Sequence, residues 1–320
     1  MTTTESRSHY AEHDTPFHAP PSRAFELISD VTRWPLMFAP CVHAEVLQRE
    51  PGADRIRLWA LAGDTVRSWT SRRRLDAAAP RVDFEQEDSR PPLASMGGHW
   101  RVDGGTKLVL AHHWALTDPT PETERWATEA LDRNSDAETA AVRSWAEYGD
   151  DFDDLVFGFG ETVHIAAPAP AVYDFLYRAD RWPRLLPHVT ALDLRTCAAS
   201  ELTAGAEVQT MTMETTGKDG SAHSTRSIRL CFDGERIVYK QTAVPRPLRA
   251  HSGEWRLRPA DGGVEVVARH EVALDPAAVE EVFGAGTTLR QARERTTELL
   301  RANSLATLRL AGEHLLSAGV

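Results

Sequence analysis

Polar and apolar residues alternate along several short stretches of the chain. Arg55–Leu61, Val66–Leu75, Arg81–Glu87, His99–Val102 and Lys107–Leu116 read this way, as do Glu207–Thr215, Thr225–Phe232, Arg236–Thr242, Gly253–Leu257 and Val264–Leu274. Period-two alternation predicts strands with one buried face. Turn residues separate them, and Gly104-Gly105 and Asp261-Gly262-Gly263 suit tight hairpins. Helical spacing takes over at Leu289, Ala292, Thr296, Leu300, Leu308 and Leu315, which predicts a long helix. A shorter one is expected near Trp126–Tyr148. Ahead of each strand set comes a short strand, around His9–Phe17 and Phe157–Ile165. A helix follows, opening with Pro20-Pro21-Ser22 or Pro168-Ala169-Pro170, since Pro is well placed in a first helical turn. Arg-Trp-Pro then interrupts that helix, because the residue before Pro resists helix.

The two sets are copies. Residues 19–35 and 167–183 both begin Ala-Pro and end Arg-Trp-Pro. Ser71-x-Arg73 answers Ser227-x-Arg229, Gly98-His99-Trp100-Arg101 answers Gly253-Glu254-Trp255-Arg256, Gly104-Gly105 answers Gly262-Gly263, and Asn134-Ser135 answers Asn303-Ser304. Chance gives one such match, whereas six in the same order establish a tandem duplication. Domains 1–150 and 151–320 are expected, joined by the acidic stretch Glu147–Asp154. Each reads as strand, broken helix, six-stranded antiparallel sheet and long helix, an α+β unit. A curved sheet around one long helix encloses a pocket. A stretch present before Asn303 has no counterpart before Asn134, so the second pocket is expected to be the larger.

Composition narrows the function. The chain has 320 residues and a formal net charge of −11, which argues against nucleic acid as the main partner. No apolar run reaches membrane-spanning length, and Met1–Arg7 lacks the apolar stretch of a signal peptide, so a cytoplasmic location is expected. Cys41, Cys197 and Cys231 are scattered and form no C-x-x-C pair, which speaks against a disulfide framework or a zinc site. Nine tryptophans supply rigid apolar walls.

Alternation also sorts side chains by face. Trp69 belongs inside, which puts Arg67, Ser71 and Arg73 on the inner face and Arg72 and Arg74 outside. In the second copy Thr225, Ser227, Arg229 and Cys231 share the inner face. The bland alternative for each arginine is a place at the sheet rim or a pairing with a carboxylate. Counting from the Gly-Gly turns, His112 and His270 fall at the same place on an apolar face, with His113 pointing outward. A single such histidine is more often a satisfied core residue than an acid or base. Trp100 and Trp255 sit on apolar faces, where plain core packing is the commoner role. Trp34 and Trp182, at the helix break, are expected at the pocket mouth. No G-x-S-x-G elbow, P-loop, H-E-x-x-H or dinucleotide fingerprint occurs. If the chain is an enzyme, it shapes and polarises a reactive substrate rather than attacking it.

Ala-Pro, a helix, Arg-Trp-Pro, Trp69-Thr70-Ser71-Arg72-Arg73 and Gly-x-Trp100 together resemble the aromatase/cyclases of bacterial type II polyketide synthases, and the duplication resembles their di-domain members. The resemblance covers the whole chain and implies tandem helix-grip domains of the lipid-transfer and pollen-allergen superfamily. It implies that an acyl-carrier protein, within a set of synthase subunits, presents a poly-β-ketone whose first ring closes by aldol condensation and aromatises by losing water. It also implies a ketoreduced substrate closed at C7–C12, no cofactor or metal, and a single chain acting as a pseudo-dimer. The family's pocket arginine carries to Arg73 and Arg229, its serine to Ser71 and Ser227, and its tryptophans to Trp34, Trp69, Trp100, Trp182 and Trp255. Its tyrosine does not carry: seven residues after Trp34 and Trp182 stand Cys41 and Val189. His188, one residue before Val189, offers a substitute in the second copy only, and His112 or His270 can serve as acid or base. The competing readings are a hydrophobic-ligand carrier without chemistry and a chaperone subunit of the synthase.

Overall fold

The computed structural model describes residues 8–216, 220 and 222–319. Met1–Arg7, the stretch read for a signal peptide, lies outside them. The chain divides into two compact units, 1–152 and 153–320.

The first unit runs β1 (Ser8–Pro16), α1 (Pro21–Ser29), α2 (Trp34–Met37), β2 (Cys41–Glu50), β3 (Ala53–Ala62), β4 (Thr65–Asp76), β5 (Arg81–Glu87), β6 (Leu93–Asp103), β7 (Lys107–Leu116) and α3 (Pro121–Ala146). A single turn, α4 (Phe152–Leu155), carries the chain onward. The second unit repeats the order with β8 (Val156–Ile165), α5 (Ala169–Tyr177), α6 (Trp182–Leu185), β9 (Val189–Cys197), β10 (Glu207–Thr216), β11 (Ala222–Phe232), β12 (Arg236–Ala243), β13 (Leu248–Ala260), β14 (Gly263–Leu274), α7 (Val279–Phe283) and α8 (Leu289–Ser317). Each sheet is antiparallel and seven-stranded, ordered β1-β7-β6-β5-β4-β3-β2 and β8-β14-β13-β12-β11-β10-β9.

Seven strands replace the expected six. The added ones, β2 and β9, are edge strands. The burial of β2 switches from inside to outside halfway along instead of alternating. An edge strand with a charged outer half has no apolar face to set a period.

The helix break is held by the same tryptophan contact in both units, and only the first adds a side-chain cap. Asp30 ends α1 and its carboxylate accepts from the Thr32 amide at 3.2 Å. Pro35 cannot continue an α-helical ladder, so a 3-10 turn intervenes before α2. The indole N–H of Trp34 donates back to Leu27 O at 3.2 Å, and that of Trp182 to Phe175 O at 3.0 Å. Both tryptophans thereby pin the two halves of the break together.

The long helices are closer in length than the sequence implied, 26 residues for α3 and 29 for α8. Both start with capping boxes, Thr120 with Thr123 and Thr288 with Gln291. The difference lies upstream. The first unit passes from β7 into α3 through 117–120, while the second inserts a 3-10 turn (Pro276–Ala278) and α7. Leu308, Ala311 and Leu315 of α8 pack with Val264, Val266 and Ala268 of the sheet. The expected linker is also more structured than read: Phe152 is 1% exposed and meets the Trp145 ring edge-on at 6.1 Å.

Candidate active site

Antiparallel pairing sets cross-strand partners side by side on one face. In the first unit one inner row reads Asp54, Arg73, Phe84, Gly98, His112, Ala11. In the second unit the same row reads Gln209, Arg229, Tyr239, Gly253, His270, Phe159. Arginine, glycine and histidine are kept. The other three positions differ, and they change the chemistry.

Arg73 is 3% exposed and fully engaged. Its Nε and one terminal nitrogen donate to the two Asp54 oxygens at 2.8 and 2.7 Å, and both terminal nitrogens reach the α1 carbonyls of Ile28 and Ser29 at 2.9 and 2.7 Å. This is the carboxylate pairing that the sequence left open. Arg229, 1% exposed, has Gln209 where Arg73 has Asp54. Its terminal nitrogens donate only to the carbonyls of Leu176 and Tyr177, at 2.5 and 3.4 Å. Its Nε and the Gln209 Oε1 are buried without hydrogen-bond partners. Burial pulls the Arg229 pKa down from its usual range, with Cys231, Tyr173 and Tyr177 opposing, although a guanidinium stays protonated in a protein. A buried cation without an ion partner is costly unless something uses it. Behind each arginine lies the tryptophan of the helix break, 5.6 Å from guanidinium carbon to ring centre in both units. Trp34 and Trp182 therefore back the arginines, and Trp182 is buried at 4% exposure rather than set at an open mouth.

The conserved glycines make room for the ring beside them. A Cβ on Gly98 would lie 2.0 Å from Ala111 O and 2.8 Å from the Phe84 ring. A Cβ on Gly253 would lie 2.4 Å from both Arg269 O and the Tyr239 hydroxyl. The aromatic ring of β5 or β12 crosses the glycine and reaches the histidine of the next strand. In the first unit that is an edge-on contact of Phe84 with His112 at 5.6 Å. In the second it is a hydrogen bond, Tyr239 Oη to His270 Nδ1 at 3.1 Å.

His270 is a junction. Its Nδ1 is also 3.2 Å from His251 Nε2, and its Nε2 is 3.5 Å from Glu161 Oε1. Its ring stacks on Phe159 at 4.8 Å. Burial lowers its pKa to about 4, with Arg301 contributing, and lowers that of His251 to about 3, with His270 contributing. Burial raises the pKa of Glu161 and of the Tyr239 phenol. His112 Nδ1 lies 3.3 Å from Ser135 Oγ of α3, and burial, with His13, His113 and His99 contributing, lowers its pKa to about 4.

Ser71 and Ser227 are buried inner-face residues beside Gln86 and Gln241, one row from the arginines. Trp69, Phe84, Met96 and His112 face inward yet stay part-exposed, so the interior of the first unit opens to solvent at that end. Arg67, at the start of β4, is exposed instead of inside. Trp100 is core at 3% exposure. Trp255 is half-buried, packs on Tyr239 at 5.5 Å and leaves its indole nitrogen unpartnered. His188 precedes β9, at the opposite edge of the sheet from β8 and β14, so it does not join the His270 cluster. Cys41 and Val189 are buried, and none of the three cysteines is in a disulfide. His113 points outward and pairs with Glu85 at 2.8 Å. Sequence reading missed Asp54, Gln209, Tyr239, His251 and Glu161. Extending the repeat through every strand exposes the Phe84/Tyr239 difference, whereas Glu161 becomes visible only in the pairing of β8 with β14.

Among the described residues, no helix is long and apolar enough to cross a membrane, and no His, Cys, Asp and Glu group is placed to hold a metal ion. Profiles described as polyketide cyclase/dehydrase and lipid transport match residues 17–139 and 157–305. The chain is 46% identical over 311 residues to the actinorhodin polyketide synthase bifunctional cyclase/dehydratase of Streptomyces coelicolor, covering 95% of this chain and 96% of that one. It is 42% identical over 309 residues to the granaticin polyketide synthase bifunctional cyclase/dehydratase of Streptomyces violaceoruber, covering 95% and 94%. Among solved structures, the di-domain ARO/CYC BexL of the BE-7585A pathway superposes with a TM-score of 0.81 at 39% identity, covering 96% of this chain and 98% of that one. The di-domain ARO/CYC StfQ of the steffimycin pathway gives 0.78 at 32%, covering 97% and 100%. With both halves matched and the duplication shared end to end, the chain belongs to the polyketide cyclase/dehydrase family, as a di-domain aromatase/cyclase enzyme of type II polyketide synthases.

Proposed function

We propose that this enzyme closes the first ring of a ketoreduced poly-β-ketone held on an acyl-carrier protein, by a C7–C12 aldol condensation, and then removes water to aromatise it. The observation that carries this reading is Arg229: a guanidinium on the inner face with, among the described residues, no carboxylate to neutralise it. A methylene between two carbonyls is acidic enough for a weak base. Its enolate attacks a ketone carbon, a C–C bond forms, and negative charge collects on the carbonyl oxygen. A fixed cation in a partly dry cavity stabilises that charge and needs no reorganisation to do so. Apolar walls, including Trp255, hold the flexible chain folded for attack, and positioning of this kind can supply much of the rate.

The two domains contribute differently in this reading. Arg229, Ser227 and His270 serve the reacting atoms. Arg73 is neutralised by Asp54, so it ties β3 and β4 to α1, while Trp69, Ser71 and His112 line a pocket of the first domain and Trp100 is packed in its core. The enzyme acts as a single chain in the cytoplasm, taking substrate from the carrier protein beside the other synthase subunits. No cofactor is needed, because the substrate carries its own activation.

The test is reconstitution of the carrier protein, ketosynthase and ketoreductase with and without this protein. A switch from spontaneously cyclised shunt products to one first-ring-aromatised product is expected, and Arg229→Gln should abolish it. An unchanged product profile would sink the enzyme reading in favour of a carrier or chaperone.

A further inference from the structure

Glu161 of β8, His270 of β14 and Tyr239 of β12 form a buried line that passes over Gly253 of β13, and the first sheet has no equivalent among the described residues. Neither Glu161 oxygen receives a hydrogen bond. His270 Nε2 stands 3.5 Å away, and Arg301 Nε of α8 is 3.9 Å away. The Ser304 hydroxyl is near enough to oppose the upward pull of burial on the Glu161 pKa, without being oriented for a formed bond. From the other imidazole nitrogen the line continues to Tyr239 Oη at 3.1 Å. At the matching places in the first sheet stand Phe84, which has no proton to give, and His13, which the register sets beside Leu110 as it sets Glu161 beside Ala268. The helix residue facing that position differs in charge as well. His13 meets Asp132 of α3 at 3.0 Å, whereas Glu161 faces Arg301.

A carboxyl with free oxygens at one end, a phenol at the other and an imidazole between them can pass a proton from one end to the other. We propose, resting on the function argued above, that Glu161 and Tyr239 are the base and acid of the water-elimination step, relayed by His270, so that dehydration belongs to the second domain. Glu161 takes the proton from the carbon next to the ketone. The electron pair of that C–H bond becomes the new C=C bond, and the C–O bond to the aldol hydroxyl breaks. The departing hydroxide takes the Tyr239 proton and leaves as water. His270 then receives the proton from Glu161 at Nε2 and returns the one on Nδ1 to the tyrosinate, which leaves the ring as its Nε2–H tautomer. The proton count balances and no outside reactant enters; proton exchange with water restores the Nδ1–H tautomer before the next turnover. His251, 3.2 Å from Nδ1, holds the ring in the orientation the relay needs.

The experiment is the reconstituted reaction in the full-length protein, quenched within the first turnover and analysed for two products: the closed ring still carrying its hydroxyl, and the aromatic ring. Tyr239→Phe and Glu161→Gln are each expected to lower formation of the aromatic product by roughly 10²-fold while ring closure continues, so the hydroxylated ring accumulates. Phe84 occupies the same place in the first sheet, so Tyr239→Phe should fold, and a thermal melt verifies it. A structural role would lower both products together with the melting temperature. An unchanged ratio of the two products in either folded variant overturns the proposal. Absence of both products with the unmodified enzyme would instead overturn the cyclase reading on which it rests.

Discussion

Asp54 grips the Arg73 guanidinium with both carboxylate oxygens, at 2.8 and 2.7 Å, and neither side chain reaches solvent. The pair bridges β3 and β4 and hangs α1 from them through two carbonyls. Removing one partner strands the other as a buried charge. Asp54→Asn is therefore expected to destabilise the first domain by about 3–5 kcal/mol. A denaturant titration that resolves the two domains should show the first transition moving to lower denaturant. An unmoved transition contradicts the assignment.

The reverse change tests the second domain. Gln209→Glu places a carboxylate where Arg229 has none. The fold should tolerate it, because it restores the arrangement of the first unit. Ring closure should fall roughly 100-fold, since a neutralised guanidinium no longer stabilises a developing oxyanion. Activity equal to the unmodified enzyme would mean that the free charge is not used.

Gly253→Ala sets a Cβ against backbone as well as the Tyr239 hydroxyl, and the Arg269 carbonyl cannot rotate away. A loss of about 1–3 kcal/mol is expected, as for overpacking elsewhere. The Tyr239–His270 bond should lengthen or break. Gly98→Ala meets Ala111 O even more closely and should destabilise the first domain by at least as much. A melting temperature unchanged in both variants counts against the close approach.

Stability should fall on mild acidification. His112 and His270 titrate at about 4 in the folded chain, against about 6.5 when unfolded. Between those values the unfolded chain binds more protons, so stability rises with pH through this window and its loss is complete below about pH 4. At His270 the groups involved are His251, Glu161, Tyr239 and Arg301, and the histidines titrate as a coupled set. Urea midpoints measured from pH 7 down to pH 4 should drop steadily. A flat response would show that both rings are charged or exposed in the native state.

Much of the architecture was legible because it is local. A Pro in the first helical turn, a Trp-Pro break and period-two alternation each act within a few residues, and the duplication let each copy check the other. Alternation alone placed Ser71, Arg73, Ser227 and Arg229 inside. It failed on β2, an edge strand whose burial switches from inside to outside along its length, and it passed over β9, the other edge strand, although Leu192 and Leu194 alternate there with exposed residues. It also overstated the difference between α3 and α8, because the missing segment belongs to the connection before the helix.

The sequence by itself determined the repeat, the α+β class, the inner-face arginines and serines, and the equivalence of His112 and His270. Tertiary structure decided what those residues do. Asp54 and Arg73 meet only through the β3–β4 register, and Tyr239, His270 and Glu161 meet only when β12, β13, β14 and β8 lie side by side. Whether an arginine is spent in an ion pair or left free, and whether a histidine is core or relay, depends on one neighbour from a distant strand. Residue type and spacing set which face a side chain takes, but its charge and proton traffic follow from partners that only folding brings within about 3 Å, where hydrogen bonds form.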